Sequence, residues 1–372
     1  MKILILTNYA DGLYLFRKEL LQSFLQEGHT VCVSLPPDEH ADKLEKLCSV
    51  IETPFGKRGL NPFQDIRLFL SYLKLLKKQN PDVVLTYTTK PNLYGGLACR
   101  IKKVPYLCNV TGLGTAIERG GLFSKFLLEF YRISLKKAQR VFFQNMGNRE
   151  VMTKKGIALD NHMLLPGSGV NLSEHKFEEY PQEDRGICFL AVIRIMKDKG
   201  IEEYLAAAQA IKSQNKKVKF YLAGEYEEET RTLYEPQIKT LADRKVIRYF
   251  GHIDNVGEVM AKSHIIVHPS YHEGLSNVLL EAAACGRPVL ASDVSGCIET
   301  FVEGESGFRF AAKSTDALVQ AMKKILALSH EERRQMGIAG RAWVENNFDR
   351  NIIIKTYQNE LKEIKESKGE KQ

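Results

Sequence analysis

The stretch HIIVHPSYHEGLSNVLLE, residues 264–281, says most about the fold of this chain. Its first five residues are mostly apolar and β-branched, which predicts a buried strand. Pro269 ends that strand because proline cannot donate to a ladder. Gly274 allows the chain to turn, and Ser276 predicts the N-cap of a helix over 277–284. A strand, a turn and a helix in this order form one unit of an α/β fold.

The start of this predicted helix is a candidate anion site. Its first backbone N–H groups have no intrahelical partner, and the helix dipole adds positive charge there. Glu273 and Glu281 flank the site and would repel an anionic ligand unless they face its hydroxyl groups. We therefore interpret Glu273 as a contact to a sugar ring and Glu281 as a contact to a ribose. A surface acid and a capping acid are the alternative interpretation.

A second cluster follows another apolar strand, predicted over 187–193. It begins at Arg194 and continues to Lys199 and Gly200, where a helical pattern starts. Arg194 could hold two diphosphate oxygens with its guanidinium fork, and Lys199 could act as a point charge. Both would stabilise a leaving group that gains negative charge. Surface cations on a loop are the alternative.

The two clusters together carry a family resemblance. The Arg-x4-Lys-Gly turn, the strand ending in Pro-Ser-Tyr-His-Glu-Gly and the run Glu-Ala-Ala-Ala-Cys-Gly-Arg-Pro-Val at 281–289 resemble glycosyltransferase family 4, over nearly the whole chain. This resemblance implies an α/β chain of the GT-B fold, with two Rossmann-like doubly wound parallel-sheet domains facing a cleft. It also implies retaining transfer, in which the leaving phosphate oxygen takes the acceptor proton on the same face.

The resemblance assigns roles to residues of the second half. It makes Glu273, Arg194 and Lys199 the catalytic groups, with Glu273 at the transferred sugar and the two cations at the diphosphate. It makes Glu281 the ribose contact. The donor pocket would be completed by the backbone amides of Gly274, Leu275, Ser276 and Asn277.

The order of patterns along the chain predicts two domains. Apolar strands alternate with helical segments, which is typical of parallel sheets covered on both faces. The alternation restarts after a Gly/Pro segment at 165–171. We expect an acceptor-binding domain over 1–166 and a nucleotide-sugar-binding domain over 167–349. The resemblance implies that a final helix over about 350–366 returns to the first domain.

The candidate acceptor side lies in the first domain. Only Gly12 remains of a glycine-rich loop after the first strand, and no Gly-x-Gly-x2-Gly follows, which disfavours a dinucleotide-dependent oxidoreductase. Lys90 follows the predicted strand 83–87 and could meet an acceptor diphosphate; a solvated loop lysine is the alternative. After the strand 105–110 come the loop residues Gly112, Leu113 and Gly114.

This Gly-Leu-Gly loop resembles a bacterial subgroup of the family. That subgroup adds N-acetylhexosamine to polyprenyl-diphosphate-linked oligosaccharides. Many family members have a histidine after this strand, and this chain has none there. The role of the loop in the mechanism is therefore open.

Three histidines at a spacing of four raise the question of a metal. A strand would place His264 and His268 about 13 Å apart, beyond joint ligation. His272 follows on the turn, and the chain has no Asp-x-Asp motif. We expect no metal and no cofactor, with a nucleotide sugar, UDP-linked, as co-substrate.

The net charge of +8 is unevenly distributed. All of the excess lies in residues 1–180, and residues 181–372 are neutral in sum. Basic residues alternate with apolar ones at helical spacing in 67–78 and 125–137. The second stretch has more apolar surface than a packed helix requires, so we expect peripheral contact with an anionic membrane. A core-facing helix with a basic outer side is the alternative, and no nucleic-acid motif accompanies the charge.

Cysteine usage agrees with an intracellular protein. Seven scattered cysteines without a Cys-x2-Cys pair favour reduced thiols. We expect a cytoplasmic protein on the inner face of the cell membrane. Its function would be transfer of an N-acetylhexosamine from a UDP-sugar to a polyprenyl-diphosphate-linked or other glycan, in surface polysaccharide or glycoprotein glycan assembly. A non-catalytic scaffold of the same fold and a UDP-sugar epimerase are the alternatives.

Overall fold

The computed structural model describes residues 1–56, 61–113, 117 and 120–369. The chain divides into two compact units, Met1–Ser168 with Asn351–Gln372 and Gly169–Arg350. Each unit has its own parallel β-sheet, and helices connect successive strands. The α/β class predicted from the alternating patterns is therefore confirmed.

The first unit is built on a seven-stranded sheet. Its strands are β1 (Lys2–Leu6), β2 (Thr30–Leu35), β3 (Ser49–Glu52), β4 (Val83–Tyr87), β5 (Tyr106–Val110), β6 (Arg140–Phe143) and β7 (His162–Leu164). They lie in the order β3-β2-β1-β4-β5-β6-β7, and the pairings are parallel. Its helices before the linker are α1 (Ala10–Gln26), α2 (Asp42–Glu45), α3 (Pro62–Gln79), a π-helix (Pro91–Gly95) that continues into α4 (Gly96–Lys102), α5 (Gly121–Leu135) and α6 (Met146–Lys154).

Strand β1 shows why this sheet is apolar on both faces. Ile3 and Ile5 pack in one buried cluster, and Leu4 and Leu6 pack in another. Successive side chains of a strand point to opposite faces, so both faces must be covered by helices. The run of consecutive apolar residues in the sequence is the direct result.

The second unit has a six-stranded parallel sheet. Its strands are β8 (Cys188–Val192), β9 (Lys219–Ala223), β10 (Arg248–Tyr249), β11 (Ile265–His268), β12 (Val289–Ser292) and β13 (Gly307–Phe310). They lie in the order β10-β9-β8-β11-β12-β13. Its helices are α7 (Ile201–Gln214), α8 (Glu228–Asp243), α9 (Val256–Ala261), α10 (Asn277–Ala284), α11 (Thr315–Leu326) and α12 (His330–Asn347), with 3-10 turns at Lys197–Lys199 and Ile298–Thr300.

The last helix, α13 (Arg350–Gly369), packs on the first unit. Ile353, Tyr357, Leu361 and Ile364 recur at intervals of three or four residues and join the buried cluster that contains Ile3 and Ile5 of β1. This spacing places all four side chains on one face of a helix. An ion pair, in which Arg140 Nε lies 2.6 Å from Glu360 Oε1, adds to this contact.

Among the helices that the structure describes, none combines the length and the apolar character needed to cross a membrane.

The helix predicted over 277–284 has these bounds in the structure, as α10. The patterns miss β3, β7 and β13, which are strands of three or four residues outside the centre of each sheet. Short edge strands carry too few buried positions to produce a recognisable period.

Candidate active site

The two predicted donor clusters follow neighbouring strands. β8 leads into the Arg194–Lys199 segment, β11 leads into the turn with Glu273, and these strands pair directly. The chain continues from β8 to β9 on one side and from β11 to β12 on the other. At such a reversal of strand order, the carboxyl ends of the strands form a crevice that binds ligands in open α/β sheets. The fold thus brings the two clusters to the expected place for a site.

Glu273 is held by two donors from different elements. Lys199 Nζ lies 2.5 Å from Glu273 Oε1, although the two residues are 74 apart in the sequence. His268 Nε2, at the end of β11, lies 2.9 Å from the same oxygen. Lys199 Nζ is also 3.5 Å from Ser270 Oγ. A catalytic acid and a catalytic cation of the prediction are therefore in direct contact.

The environment keeps the Glu273 carboxylate ionised. Burial by itself would raise the pKa of Glu273, but the hydrogen bonds from His268 and Lys199 and the positive charge beside the carboxylate hold that pKa well below its ordinary value. An ionised acid can accept hydrogen bonds from sugar hydroxyls and stabilise positive charge that develops on a sugar ring. It is a poor proton donor at neutral pH.

Gly200 explains the glycine of the Arg-x4-Lys-Gly turn. Its φ is +73°, and a Cβ at this position would lie 2.1 Å from the carbonyl oxygen of Pro269. The turn also accepts a hydrogen bond of 2.9 Å from the Tyr271 amide to the Asp198 carbonyl. A residue with a side chain would push the turn away from the end of β11. The close approach places Lys199 beside Glu273.

The start of α10 is fixed by its cap and by a glycine loop. Ser276 Oγ accepts from the Leu279 amide at 3.4 Å, which is the predicted N-cap. The Ser276 amide donates to the Gly296 carbonyl at 2.8 Å. A Cβ on Gly296 would lie 2.7 Å from the carbonyl oxygen of Glu273 and 2.8 Å from that of Gly274. The loop that contains Gly296 thus supports the whole turn.

Leu275 and Asn277 complete the predicted donor turn. The Leu275 side chain is buried in a cluster with Leu280 and Val344, so it anchors the turn to the core. Asn277 is the first residue of α10, next to the Ser276 cap. The amide of Ser276 is used within the protein, whereas the contribution of the other predicted amides to a donor pocket stays a prediction.

Glu281, one turn into α10, is partly buried rather than a surface acid. Burial raises the pKa of Glu281 to about 7, the charge of Arg350 opposes that rise, and Glu174 adds to it. This carboxyl therefore keeps its proton to a higher pH than an ordinary glutamate does. The pKa values of Glu273 and Glu281 are thus shifted in opposite directions, although Glu273 lies on the turn directly before the helix that contains Glu281.

Arg194 has a different partner from Lys199. Its Nη1 lies 2.5 Å from Oε1 of Glu227, a residue between β9 and α8, and its side chain is 55% exposed. The structure thus joins Lys199 to Glu273 and places Arg194 in an open ion pair with another acid. Sequence reasoning did not identify Glu227, because a single acid between a strand and a helix carries no distinctive pattern.

The predicted acceptor residues lie at the carboxyl end of neighbouring strands in the first unit. A Cβ on Gly12 would lie 2.5 Å from the ring of Tyr9, so glycine allows this ring to cover the first turn of α1. Among the described residues, no atom lies within 4 Å of the Cβ position of Gly112. Leu113 is buried in the core. Gly114 lies outside the described residues.

Lys90 is not a solvated loop lysine. It is 8% exposed, and its Nζ lies 2.8 Å from Asp65 Oδ1 on α3. Asp65 is 3% exposed, and its charge contributes, after burial, to raising the pKa of Tyr94 to about 12. The alternative interpretation of Lys90 as a solvated loop lysine is therefore wrong. The chain enters the π-helix soon after β4, and this turns the Lys90 side chain inward.

The histidines considered for a metal have separate partners. His264 Nδ1 accepts from the Cys188 amide at 3.1 Å, and its Nε2 lies 3.3 Å from the Gln182 carbonyl. His268 contacts Glu273 instead. Among the described residues, no group of three or more His, Cys, Asp or Glu side chains could hold a metal ion. The role of His268 was missed, although a polar residue at the end of a buried strand is a usable signal.

Two family models match this chain. Residues 2–145 match the model described as glycosyl transferase 4-like, and residues 173–343 match glycosyl transferases group 1. Together they span most of the sequence. The second match contains the whole of the Arg194 to Glu281 region.

Known proteins are similar over nearly the full length. The N,N'-diacetylbacillosaminyl-diphospho-undecaprenol alpha-1,3-N-acetylgalactosaminyltransferase of Campylobacter jejuni is 29% identical over 96% of this chain and 97% of that protein. The capsular polysaccharide biosynthesis glycosyltransferase CapM of Staphylococcus aureus is 27% identical over 84% and 85% of the two chains.

A protein whose structure was solved with UDP and glucose has a similar fold. Anabaena Alr3699/HepE in complex with UDP and glucose superposes with a TM-score of 0.80 at 17% identity, over 98% of this chain and 100% of that chain. This likeness bears on the fold alone. It confirms the GT-B architecture that the sequence motifs predicted.

Proposed function

Because this chain belongs to glycosyltransferase family 4 and is a retaining glycosyltransferase of the GT-B fold, we propose that it transfers an N-acetylhexosamine from a UDP-sugar. The acceptor is a glycan carried on a polyprenyl diphosphate or another glycan, in the assembly of a surface polysaccharide or glycoprotein glycan. The domain over 167–349 binds the nucleotide sugar, and the domain over 1–166, with the final helix about 350–366, binds the acceptor.

One observation carries this proposal: an ionised acid, Glu273, is clamped by Lys199 and His268 at the switch point of the second sheet. A nucleotide sugar has a diphosphate, which requires positive charge, and a sugar ring, which requires hydrogen-bond acceptors. This cluster offers both next to a capped helix start.

In the proposed retaining transfer, the residues of the donor site have different roles. Lys199 and Arg194 stabilise the charge that grows on the leaving diphosphate. The departing phosphate oxygen takes the proton of the acceptor hydroxyl on the face from which it leaves, so the anomeric carbon keeps its configuration. Glu273 orients and polarises the sugar without attacking it. Backbone amides at Gly274 and Leu275 add to the diphosphate contact.

UDP is the proposed nucleotide, with Glu281 accepting hydrogen bonds from its ribose. Anabaena Alr3699/HepE was crystallised with UDP and glucose, which supports UDP. The name of the Campylobacter relative, an N-acetylgalactosaminyltransferase acting on a diphospho-undecaprenol substrate, supports the N-acetylhexosamine and the polyprenyl-linked acceptor. Arg194 and Lys199 supply the positive charge, so we include in the proposal that the donor site works without a metal ion.

The acceptor would meet the first unit at the ends of β1, β4 and β5. Gly12, Lys90 and the loop with Gly112, Leu113 and Gly114 follow these three strands, and β1, β4 and β5 are neighbours in the sheet. Their carboxyl ends share one edge, as ligand sites of open α/β sheets do.

Peripheral contact with an anionic membrane is part of the proposal, on the cytoplasmic face of the cell membrane. Helix α5 presents Leu122, Phe123 and Phe126 to solvent, at 85%, 44% and 62% exposure. The exposed basic residues Lys125 and Arg132 lie on the same helix. An apolar surface beside cations matches a bilayer with anionic headgroups.

A vesicle assay tests the membrane contact. Replacing Leu122 and Phe126 together by serine is expected to weaken binding to phosphatidylglycerol vesicles about tenfold or more, because each inserted side chain contributes roughly 1.5–3 kcal/mol. Leu233→Ser is the control, since Leu233 is 54% exposed but lies on α8 of the second unit. Equal binding of wild type to neutral and anionic vesicles would contradict the proposed contact.

Donor binding and turnover test the reaction itself. UDP and UDP-N-acetylhexosamines should raise the melting temperature by mass action, whereas GDP and ADP should not. With a synthetic polyprenyl-diphosphate sugar, UDP release should depend on the acceptor, and the product should keep the donor configuration. Conversion of the UDP-sugar without an acceptor would indicate an epimerase. Binding without any turnover would indicate a scaffold.

A further inference from the structure

We propose that His268 is a positioning residue of the transfer reaction, a neutral imidazole whose Nε2–H fixes the orientation of the Glu273 carboxylate. This rests on the proposed function, in which Glu273 contacts the transferred sugar. His268 is 4% exposed and is the last residue of β11. It acts on the substrate through Glu273, with no role of its own as acid or base.

The geometry gives His268 a directional role. His268 Nε2 and Lys199 Nζ both converge on Glu273 Oε1, at 2.9 Å and 2.5 Å. Two donors from different elements on one oxygen fix the plane of the carboxylate. The imidazole sits on a buried central strand, whereas the lysine reaches the oxygen with a long flexible chain. The rigid donor therefore sets the direction and the mobile donor adds charge.

The protonation state follows from the surroundings of the ring. Among the described residues, no group hydrogen-bonds to His268 Nδ1, which is buried. A protonated ring would bury an N–H without an acceptor, which is unfavourable. The neutral tautomer with hydrogen on Nε2 avoids this cost and donates to Glu273. The ring thus contributes a directed hydrogen bond to the Glu273 carboxylate.

His264 shows how a structural histidine differs. It has the same 4% exposure and immediately precedes β11. Both of its nitrogens have backbone partners, the Cys188 amide and the Gln182 carbonyl. It ties neighbouring segments of the second unit together. His268, in contrast, has a site acid as its partner.

Three substitutions separate positioning from packing. The side-chain nitrogen of glutamine reaches the place of Nε2, whereas that of asparagine reaches only the place of Nδ1. His268→Gln should therefore keep kcat within a few-fold. His268→Asn and His268→Leu should lower kcat about tenfold or more with KM for the donor nearly unchanged, since they lose a hydrogen bond to a charged group.

The pH profile is a second measurement. The groups that face Glu273 are Lys199 from the turn after β8, His268 from β11 and Cys297 from the loop after β12. Removing the His268 donor should raise the pKa of Glu273. In His268→Asn and His268→Leu, the acid limb of the plot of kcat against pH should therefore move to higher pH. It should stay in place in His268→Gln. The control His264→Leu should lower the melting temperature without moving that limb.

The outcomes distinguish this inference from the reaction it rests on. Equal losses in the glutamine and asparagine variants, with an unmoved acid limb and unchanged melting temperatures, would overturn the positioning role. Because glutamine and asparagine carry the same polar amide and differ only in reach, the comparison between them does not depend on the leucine variant folding. If wild type releases no UDP from any UDP-N-acetylhexosamine with acceptor present, the proposed function fails instead.

Discussion

The two units each contain a lysine–carboxylate pair near the carboxyl end of their sheets, and the pairs differ in access. Lys199 and Glu273 of the second unit are 17% and 15% exposed, whereas Lys90 and Asp65 of the first are 9% and 5% exposed. A pair that stays partly exposed can exchange its partner for a ligand at little cost. A more deeply buried pair loses much more when one partner is removed.

The difference bears on the proposed division between donor and acceptor binding. The second unit has its charged side chains on short turns held by glycines and a helix cap. The first unit has a buried ion pair and, on helix α5, an exposed apolar face.

The largest expected effect is on the buried pair. Lys90→Met should lower the free energy of unfolding by about 3–5 kcal/mol, because it leaves Asp65 as a buried unpaired charge. Lys199→Met should change the free energy of unfolding far less and abolish most turnover. Urea denaturation of both variants measures the contrast.

A double variant shows whether Lys90 also meets the acceptor. Lys90→Met with Asp65→Leu removes both charges and should recover most of the stability. If Lys90 contacts an acceptor diphosphate, KM for the acceptor stays raised in this stable double variant. A normal acceptor KM would restrict Lys90 to a structural role.

The next effect in size concerns Arg194, a proposed diphosphate contact of the second unit. Arg194→Ala should cost roughly 2–4 kcal/mol of transition-state stabilisation, about 30-fold to 1,000-fold in kcat/KM, since it removes a charge-assisted contact. Arg231→Ala is the matched control, because Arg231 is also half exposed and paired with a glutamate, Glu235. Similar turnover in both variants would remove Arg194 from the donor site.

The smallest expected effect is a pH dependence at Glu281. The pKa of Glu281 is raised to about 7, so its carboxylate forms as the pH rises through that value. A carboxylate accepts ribose hydroxyl hydrogen bonds better than the acid does, so UDP should bind several-fold more tightly at pH 8 than at pH 6. Calorimetry on wild type and Glu281→Gln measures this.

The glutamine variant corrects for ionisation of UDP itself. Its UDP affinity should lose the part of the pH dependence due to Glu281 and should be several-fold weaker at pH 8. Glu305→Gln is the control, since Glu305 is an exposed acid of the same unit. If both variants have the wild-type pH dependence, Glu281 does not contact the ribose.

Much of the architecture could be predicted because each signal is local. A strand such as β1 buries consecutive side chains on both faces, so its apolar run is visible in the sequence. The Ser276 cap and the α10 helix follow from neighbouring residues. The edge strands β3, β7 and β13 escaped prediction because pairing with a neighbouring strand, rather than their own pattern, makes them strands.

Contacts between distant segments could not be predicted. Lys90 turned out to be buried against Asp65, Arg194 was found with Glu227, and His268 was found with Glu273. The choice of partner depends on where two turns meet in space. Residue type and spacing restrict what a side chain can do, but they do not select its neighbour.

Local signals in the sequence predicted the α/β alternation, the start of helix α10 and the residues that follow strands β8 and β11. Those properties depend on local periodicity, helix capping and the steric requirements of glycine and proline. The tertiary structure decided that Lys199 and His268 share one oxygen of Glu273, that Glu281 titrates near neutrality and that Lys90 is buried. Hydrogen bonding and ionisation depend on burial and on charges brought close by folding, and these distances exist only once the sheets have formed.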